Sequence, residues 1–143
     1  MKKIYYRKSL RFNVLKEIEC LPGQIVLRSD IERLASPRQI SRCFKDLTEM
    51  GNLIKIGYGV YAKAYPSEIL DKPMIRGGFD QACKEALTKL GVAWEPGSAE
   101  KAYNAGLSTQ VPVRSVIRLK QRFRGHLKYG SRQLLVEQGI NAR

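Results

Sequence analysis

The stretch SPRQISRCFKDLTEMGNLIKIGYGVYA, residues 36–62, contains the boundary signals of one helix and one β-hairpin. Ser36 is a favoured N-cap residue, and Pro37 occupies the first helical position, where a missing N–H costs nothing. We predict that this helix runs to Met50, because Gly51 readily takes the left-handed conformation that ends helices.

Two short segments after this helix predict a pair of strands. Residues 52–56 alternate apolar and polar side chains, and residues 60–62 form a second segment of β-type composition. The sequence Gly57-Tyr58-Gly59 between them predicts a tight turn, since glycine takes left-handed backbone conformations without steric cost. The segment is therefore predicted to form a β-hairpin.

Two helices and a short strand are predicted upstream. Apolar residues recur at helical spacing over residues 9–21, and a Pro-Gly pair ends that helix. Residues 24–27 are predicted to be extended, and Ser29 is interpreted as the N-cap of a short helix that ends at Ala35. This order of helices, strand and hairpin within about sixty residues is that of a winged helix-turn-helix.

The rest of the sequence, from residue 66 onward, predicts a linker and a second unit. Residues 66–77 contain two prolines and are predicted to be a linker. Further predicted elements are helices 79–90 and 99–105, the second capped by Ser98, and strands 92–94, 113–119 and one or two within 126–136. The predicted fold class is α+β: a winged helix-turn-helix domain at 1–65, the linker, and a small domain of helices and strands at 78–143.

The chain is strongly basic. It has 26 Lys and Arg against 13 Asp and Glu, a formal net charge of +13 over 143 residues. Residues 1–16 and 114–132 contain no acidic residue. This balance is typical of a chain that meets phosphates, and it favours nucleic acid as the partner. The alternative is an ordinary basic protein with solvated charged faces.

Other classes of function lack their motifs. The three cysteines, Cys20, Cys43 and Cys83, are odd in number and far apart, so we expect them to pack as small hydrophobic side chains and to form no metal site. This cysteine usage predicts a reducing, cytoplasmic location. The single histidine, His126, has no carboxylate near it in sequence, and no hydrolase, Walker or dinucleotide motif occurs. We expect neither an enzyme nor a cofactor. No secretory signal or membrane span is predicted.

The helix over residues 37–50 is predicted to have one apolar and one basic face. The residues of the apolar face are Ile40, Cys43, Phe44 and Leu47. Arg38, Arg42 and Lys45 fall on the opposite face, where they could reach guanine O6 and N7 in the major groove or the flanking phosphates. A solvated basic helix face is the alternative interpretation.

Further candidate DNA-binding residues flank this face. Gln39 and Ser41 lie beside it on the helix. The hairpin adds Lys55, Tyr58 and Lys63, which would lie on the minor groove or the backbone if the hairpin is a wing. A structural turn with a surface tyrosine is the alternative.

The last candidates lie outside the helix and the hairpin. Residues 28 and 29, Arg and Ser, open the first short helix and could touch phosphate, although a capping role for Ser29 is the alternative. The basic C-terminal stretch is a second candidate contact with DNA. Its candidate residues are Arg118, Lys120, Arg122 and Arg124.

Two motifs carry a resemblance to a known family. One is DLTEMGNLIKIGYGVYAK at residues 46–63, and the other is WEPGSAEKAYNAGLSTQVPVRSVIRL at residues 94–119. The first resembles the winged-helix start of AbiEi-type antitoxin regulators of abortive-infection and type IV toxin–antitoxin systems. The second is similar to a more specific block of the same family, which contains the LSTQVP run. This chain is shorter than the longer members of that family.

The resemblance implies a function. It implies binding of double-stranded DNA by the winged helix, usually at the regulator's own promoter, and in some members neutralisation of a nucleotidyltransferase-like toxin. We therefore expect a sequence-specific transcriptional regulator and autorepressor of antitoxin type. The alternative is an antitoxin or interaction module whose C-terminal unit binds such a toxin. Many helix-turn-helix proteins bind DNA as homodimers, and RNA binding is a third hypothesis.

Overall fold

The computed structural model describes residues 10–69, 71–107, 109, 116–123, 125–130 and 132–136. Helices and strands occur together in the described residues, so the α+β class predicted from the sequence is confirmed. The chain divides into two compact units, Met1–Gly78 and Phe79–Arg143, here called the N-terminal and C-terminal units.

The N-terminal unit contains three α-helices and four strands in its described residues. In chain order they are α1 (Leu10–Cys20), β1 (Ile25–Leu27), α2 (Arg28–Ile31), a 3-10 turn (Glu32–Leu34), α3 (Pro37–Glu49), β2 (Leu53–Gly57), β3 (Val60–Pro66) and β4 (Pro73–Ile75). Strand β3 is the centre of one antiparallel sheet, because β1, β2 and β4 all pair with it.

Strand β4 lies within the segment that the sequence predicted to be a linker. Its residues 73–75 pair with the end of β3, and Pro66 lies opposite Pro73 at the last position of the ladder. A proline donates no hydrogen bond to a ladder, which is why the two prolines indicated a break. A three-residue strand also has too few positions to show an alternating pattern. The sheet therefore extends beyond the predicted domain boundary at residue 65.

The buried face of α3 holds the N-terminal unit together. Its apolar residues are all buried, as the helical pattern predicted: Ile40, Cys43, Phe44 and Leu47. They share one core cluster with Val14 and Ile18 of α1 and with Leu53 of β2. Burial raises the pKa of the Cys43 thiol, so this cysteine stays neutral and packs as a small hydrophobe.

Both ends of α3 follow the sequence prediction. The Ser36 Oγ accepts a hydrogen bond from the Gln39 N–H at 3.3 Å, while the Gln39 Oε1 accepts one from the Ser36 N–H at 3.2 Å. These reciprocal bonds are a capping box. At the other end Gly51 has a φ of 81°, and the Asn52 N–H reaches the Leu47 carbonyl at 3.0 Å. This closure is a Schellman motif.

The predicted cap of α2 is wrong. The helix begins at Arg28 with Leu27 as its N-cap, so Ser29 lies inside the first turn. The Asp30 carboxylate accepts a hydrogen bond from the Leu27 N–H at 2.9 Å. The acidic side chain at the third helical position therefore satisfies the free backbone donor, and no Ser29 cap is needed.

The C-terminal unit contains two α-helices and five short strands in its described residues. They are α4 (Phe79–Lys89), β5 (Trp94–Pro96), α5 (Ser98–Asn104), β6 (Val116–Leu119), β7 (Lys128–Tyr129), β8 (Arg132–Gln133) and β9 (Leu135–Val136). Strand β6 pairs antiparallel with β5 and parallel with β9, and β7 pairs with β8 around Gly130. Residues 113–115 of the predicted strand 113–119 lie outside the described residues.

The apolar face of α4 is buried as predicted except at its end. Its buried residues are Phe79, Ala82, Cys83, Ala86 and Leu87. Leu90 is exposed, because a Schellman turn at Gly91 closes the helix and Val92 takes the buried position. Two other predicted boundaries shift: Gly97, not Ser98, is the N-cap of α5, and β5 begins at Trp94.

Candidate nucleic-acid interface

The outward face of α3 is basic. Arg38, Arg42 and Lys45 are exposed, on the side opposite the buried apolar residues of the helix. In the part of the chain that the structure describes, none of these three side chains takes part in an ion pair. Ser41 is exposed beside Arg42, and Gln39 is exposed but has its side-chain carbonyl in the capping box. The face presents cations and hydrogen-bonding groups to solvent.

The hairpin of β2 and β3 lies beside this face. Tyr58, in the turn, is 99% exposed, and Lys55 of β2 is also exposed. Lys55 lies opposite Tyr61 of β3 in the strand register, so the two side chains share one face of the sheet. The Tyr61 ring stacks on Phe44 of α3, with 4.2 Å between ring centroids and 11° between planes. This stacking joins the hairpin to the helix.

Arg28 connects the hairpin to the start of α3. Its Nη2 donates a hydrogen bond to the Pro37 carbonyl at 2.7 Å, and its backbone N–H donates one to the Gly59 carbonyl at 2.9 Å. The sequence suggested a phosphate contact for Arg28 and no structural role. No local signal could have revealed the link to Pro37, nine residues away, because tertiary packing creates it.

A cleft of about 650 Å³ lies between α3 and the hairpin. We call it the helix–hairpin cleft, and its described lining residues are Arg28, Ser41, Phe44, Lys45, Thr48, Glu49, Lys55, Tyr58, Gly59 and Tyr61. Three of these are cations and one is acidic, so the cleft suits an anionic group. The sequence pointed to Ser41, Lys45, Lys55 and Tyr58 but not to Thr48 or Tyr61.

The pKa of the Tyr61 phenol lies above its ordinary value. Burial raises the pKa of its phenol, and the nearby positive charge of Arg28 opposes this rise in part. The phenol therefore stays neutral at physiological pH and keeps a proton to donate. Thr48 donates its hydroxyl proton to the Phe44 carbonyl at 2.7 Å, so this hydroxyl is oriented by the helix itself.

Lys63 does not line the cleft in the structure. Its Nζ donates a hydrogen bond to the Leu21 carbonyl at 2.6 Å, just after the end of α1. The side chain is half-buried, and this contact fixes the segment that follows α1.

Among the described residues, one of the predicted C-terminal candidates, Lys120, contacts a carboxylate, unlike the cations of α3. Arg118 of β6 lies opposite Glu95 in the β5–β6 register, and Lys120 Nζ lies 3.6 Å from Glu95 Oε2. Lys101 Nζ lies 2.7 Å from the other oxygen, and its hydrogen bond is the main cause of the lowered pKa of Glu95. Arg122 is exposed. The remaining candidate, Arg124, lies outside the described residues.

Comparisons with protein-family models, with curated proteins and with solved structures find no match to this chain. Among the described residues, no group of three or more His, Cys, Asp or Glu is arranged to hold a metal ion. No helix in the described ranges combines the length and the apolar character that crossing a membrane requires.

Proposed function

We propose that the protein is a transcriptional regulator that binds double-stranded DNA through its N-terminal unit. In this proposal the unit is a winged helix, α3 is the reading helix and the β2–β3 hairpin is the wing. The observation that carries the proposal is the exposed basic face of α3, which continues across the helix–hairpin cleft onto the hairpin.

The chemistry of this face suits duplex DNA. The major groove of B-DNA admits an α-helix, and Arg and Lys bind guanine O6 and N7 there. The major groove of an RNA duplex is too narrow for a helix. Arg38 and Arg42 lie in the N-terminal half of α3, the part that contacts base edges in helix-turn-helix proteins.

The regulatory role rests on the two motifs at residues 46–63 and 94–119. Their resemblance to antitoxin regulators supports autorepression, in which the protein binds at its own promoter.

One structural feature supports a second function, binding of a partner protein by the C-terminal unit: within the second motif, Leu107 is 83% exposed and Tyr103 is 41% exposed. Apolar side chains that remain exposed can serve as contacts for a partner protein.

Selection from a random duplex library tests the DNA-binding proposal. We expect one sequence to be enriched and to bind about a thousandfold or more tighter than a scrambled duplex at physiological salt. A palindromic sequence would indicate a homodimer. Failure to enrich any sequence would overturn the proposal.

Co-purification with the product of the neighbouring gene tests the second function. Recovery of a nucleotidyltransferase that is lost in Leu107→Asp, while binding to the selected duplex remains, would support it. Absence of any complex between the two purified proteins would reject it.

A further inference from the structure

The helix–hairpin cleft gathers cations from three different elements. Arg28 comes from α2, Lys45 from α3 and Lys55 from β2. Lys45 and Lys55 are exposed and belong to the two opposite walls, so an anion between the walls would be contacted from both sides. We propose that the cleft is a binding site for one phosphodiester group of the DNA backbone, held between Lys45 and Lys55. This inference rests on the proposed function.

The lining of the cleft should bind a phosphate more strongly than an open protein surface would. The stacked rings of Phe44 and Tyr61 contribute to its lining and exclude water on that side. Electrostatic attraction is stronger beside such apolar groups than in bulk water. The neutral phenol of Tyr61 and the hydroxyl of Ser41 can add hydrogen bonds. The volume of about 650 Å³ also leaves room for the sugars on either side of the phosphate.

Arg28 is a positioning residue of this site. Its guanidinium is bonded to the Pro37 carbonyl and its backbone N–H to the Gly59 carbonyl, so it links the two walls of the cleft before DNA arrives. A preformed site loses less conformational entropy on binding than one that must be assembled. The Lys45 and Lys55 side chains are then the groups left to close on the phosphate.

Glu49 limits where a phosphate can bind. It is the acidic residue among the described lining residues, and it lies one helical turn after Lys45 on α3. A carboxylate repels a phosphate, so the end of the cleft near Glu49 is the less favourable one for an anion. The repulsion restricts the phosphate to the part of the cleft between the two lysines.

Neutral backbone substitutions in the selected duplex test this site. Each phosphate is replaced in turn by an uncharged methylphosphonate, and the affinity of every duplex is measured for wild type, Lys45→Gln, Lys55→Gln and Lys16→Gln. Lys16 is an exposed lysine on α1, outside the cleft lining, and serves as the matched control. Thermal unfolding of each variant confirms that it is folded.

We expect one backbone position at which the methylphosphonate weakens wild-type binding by about fivefold, which corresponds to about 1 kcal/mol. At that position the methylphosphonate has a smaller effect on Lys45→Gln and on Lys55→Gln than on wild type, because only one lysine is left to contact the phosphate, while Lys16→Gln behaves as wild type. The slope of log K against log salt becomes shallower in each cleft variant, by at most about 0.9, which is the value for loss of one whole phosphate contact.

The results that would overturn the cleft site differ from the result that would overturn the proposed function. If Lys45 and Lys55 couple to different phosphates, or to none, while the wild type still binds its selected duplex, the cleft site is wrong and the proposed function stands. If free deoxynucleoside monophosphate displaces the duplex from wild type at micromolar concentration but not from Lys55→Gln, the cleft holds a free nucleotide and the backbone site is wrong. If no duplex is selected, the proposed function itself fails.

Discussion

Basic side chains of the two units lie in different electrostatic settings, and the contrast is clearest between the outward face of α3 and the lysines around Glu95. On α3, the exposed Arg38, Arg42 and Lys45 form no ion pair with any described residue. In the C-terminal unit, Lys101 and Lys120 meet at Glu95, and Arg132 lies 3.1 Å from a carboxylate oxygen of Asp80 while it covers the ring of Phe79.

This difference shows that a count of positive charges does not locate a binding surface. Cations that already contact a carboxylate must give up that contact before they bind a phosphate, whereas the cations of α3 need not. We therefore propose that α3 and the hairpin, and not the basic C-terminal strands, make the larger contribution to binding of DNA.

Removing the packing beneath the basic face has the largest expected effect. Phe44 is buried and stacks on Tyr61, so Phe44→Ala should lower the free energy of unfolding by about 3–5 kcal/mol. Guanidinium unfolding measures this change. Tyr58→Ala, at the exposed hairpin turn, should stay within about 0.5 kcal/mol of wild type. Equal losses in both variants would contradict the packing described for the hairpin.

Deleting one cation from each unit tests the contrast in DNA binding. Arg42→Ala should weaken binding to the selected duplex by about 1–3 kcal/mol if, as proposed, Arg42 contacts a base. Lys120→Ala should change the affinity by less than about 0.5 kcal/mol, since the Lys120 ammonium group already contacts the Glu95 carboxylate. Fluorescence anisotropy at fixed salt measures both. A larger loss for Lys120→Ala would move the DNA contact to the C-terminal unit.

Two serines at helix starts compare the local stability of the units. Ser36 caps α3 through its side chain, so Ser36→Ala should lower the stability by about 1 kcal/mol. Ser98 lies inside the first turn of α5, whose N-cap is Gly97, so Ser98→Ala removes no cap and should cost less stability than Ser36→Ala. Thermal unfolding of both variants is the measurement, and a reversed order would contradict the assigned caps.

Releasing the cations held by Glu95 should have the smallest effect. Its pKa lies below the ordinary value of 4.5, mainly through the hydrogen bond from Lys101, so the carboxylate is ionised at neutral pH. Glu95→Gln should bind scrambled duplex slightly more tightly than wild type at low salt. A neutral amide attracts Lys101 and Lys120 less strongly than a carboxylate does, so both lysines become available to phosphate groups. Unchanged binding would show that the two lysines were already available in wild type.

The same pKa gives a pH dependence for stability. A carboxyl group with a lowered pKa in the folded protein stabilises the fold above its unfolded pKa, and this contribution is lost as the pH falls through the folded value. The difference in stability between wild type and Glu95→Gln should therefore be present at pH 7 and disappear in strong acid. A difference that grows with acidity would contradict the sign.

The sequence specified α3 well because its signals are local. A cap residue with proline after it, an apolar stripe and a terminal glycine all lie within residues 36–51. The apolar stripe also identified the opposite face as the exposed one. The cap of α2 was misassigned because Ser29 and Asp30 are adjacent, and the sequence alone does not show which side chain reaches the free N–H.

The features that the sequence could not reveal depend on distant pairing. Strand β4 forms only because residues 73–75 meet the end of β3. The ion pair of Lys120 joins residues 25 positions apart, and the helix–hairpin cleft exists only once α2, α3 and the hairpin have packed. Such contacts carry no periodic pattern, so a cation that contacts a carboxylate, such as Lys120, looks the same in the sequence as a cation of α3 that does not.

Backbone amide chemical shifts in the presence of the selected duplex show which unit contacts DNA. We expect the largest shift changes on residues 37–45 of α3 and on residues 55–59 of the hairpin, with small changes over residues 94–122. Changes concentrated in residues 94–122, with α3 and the hairpin unaffected, would contradict the proposal.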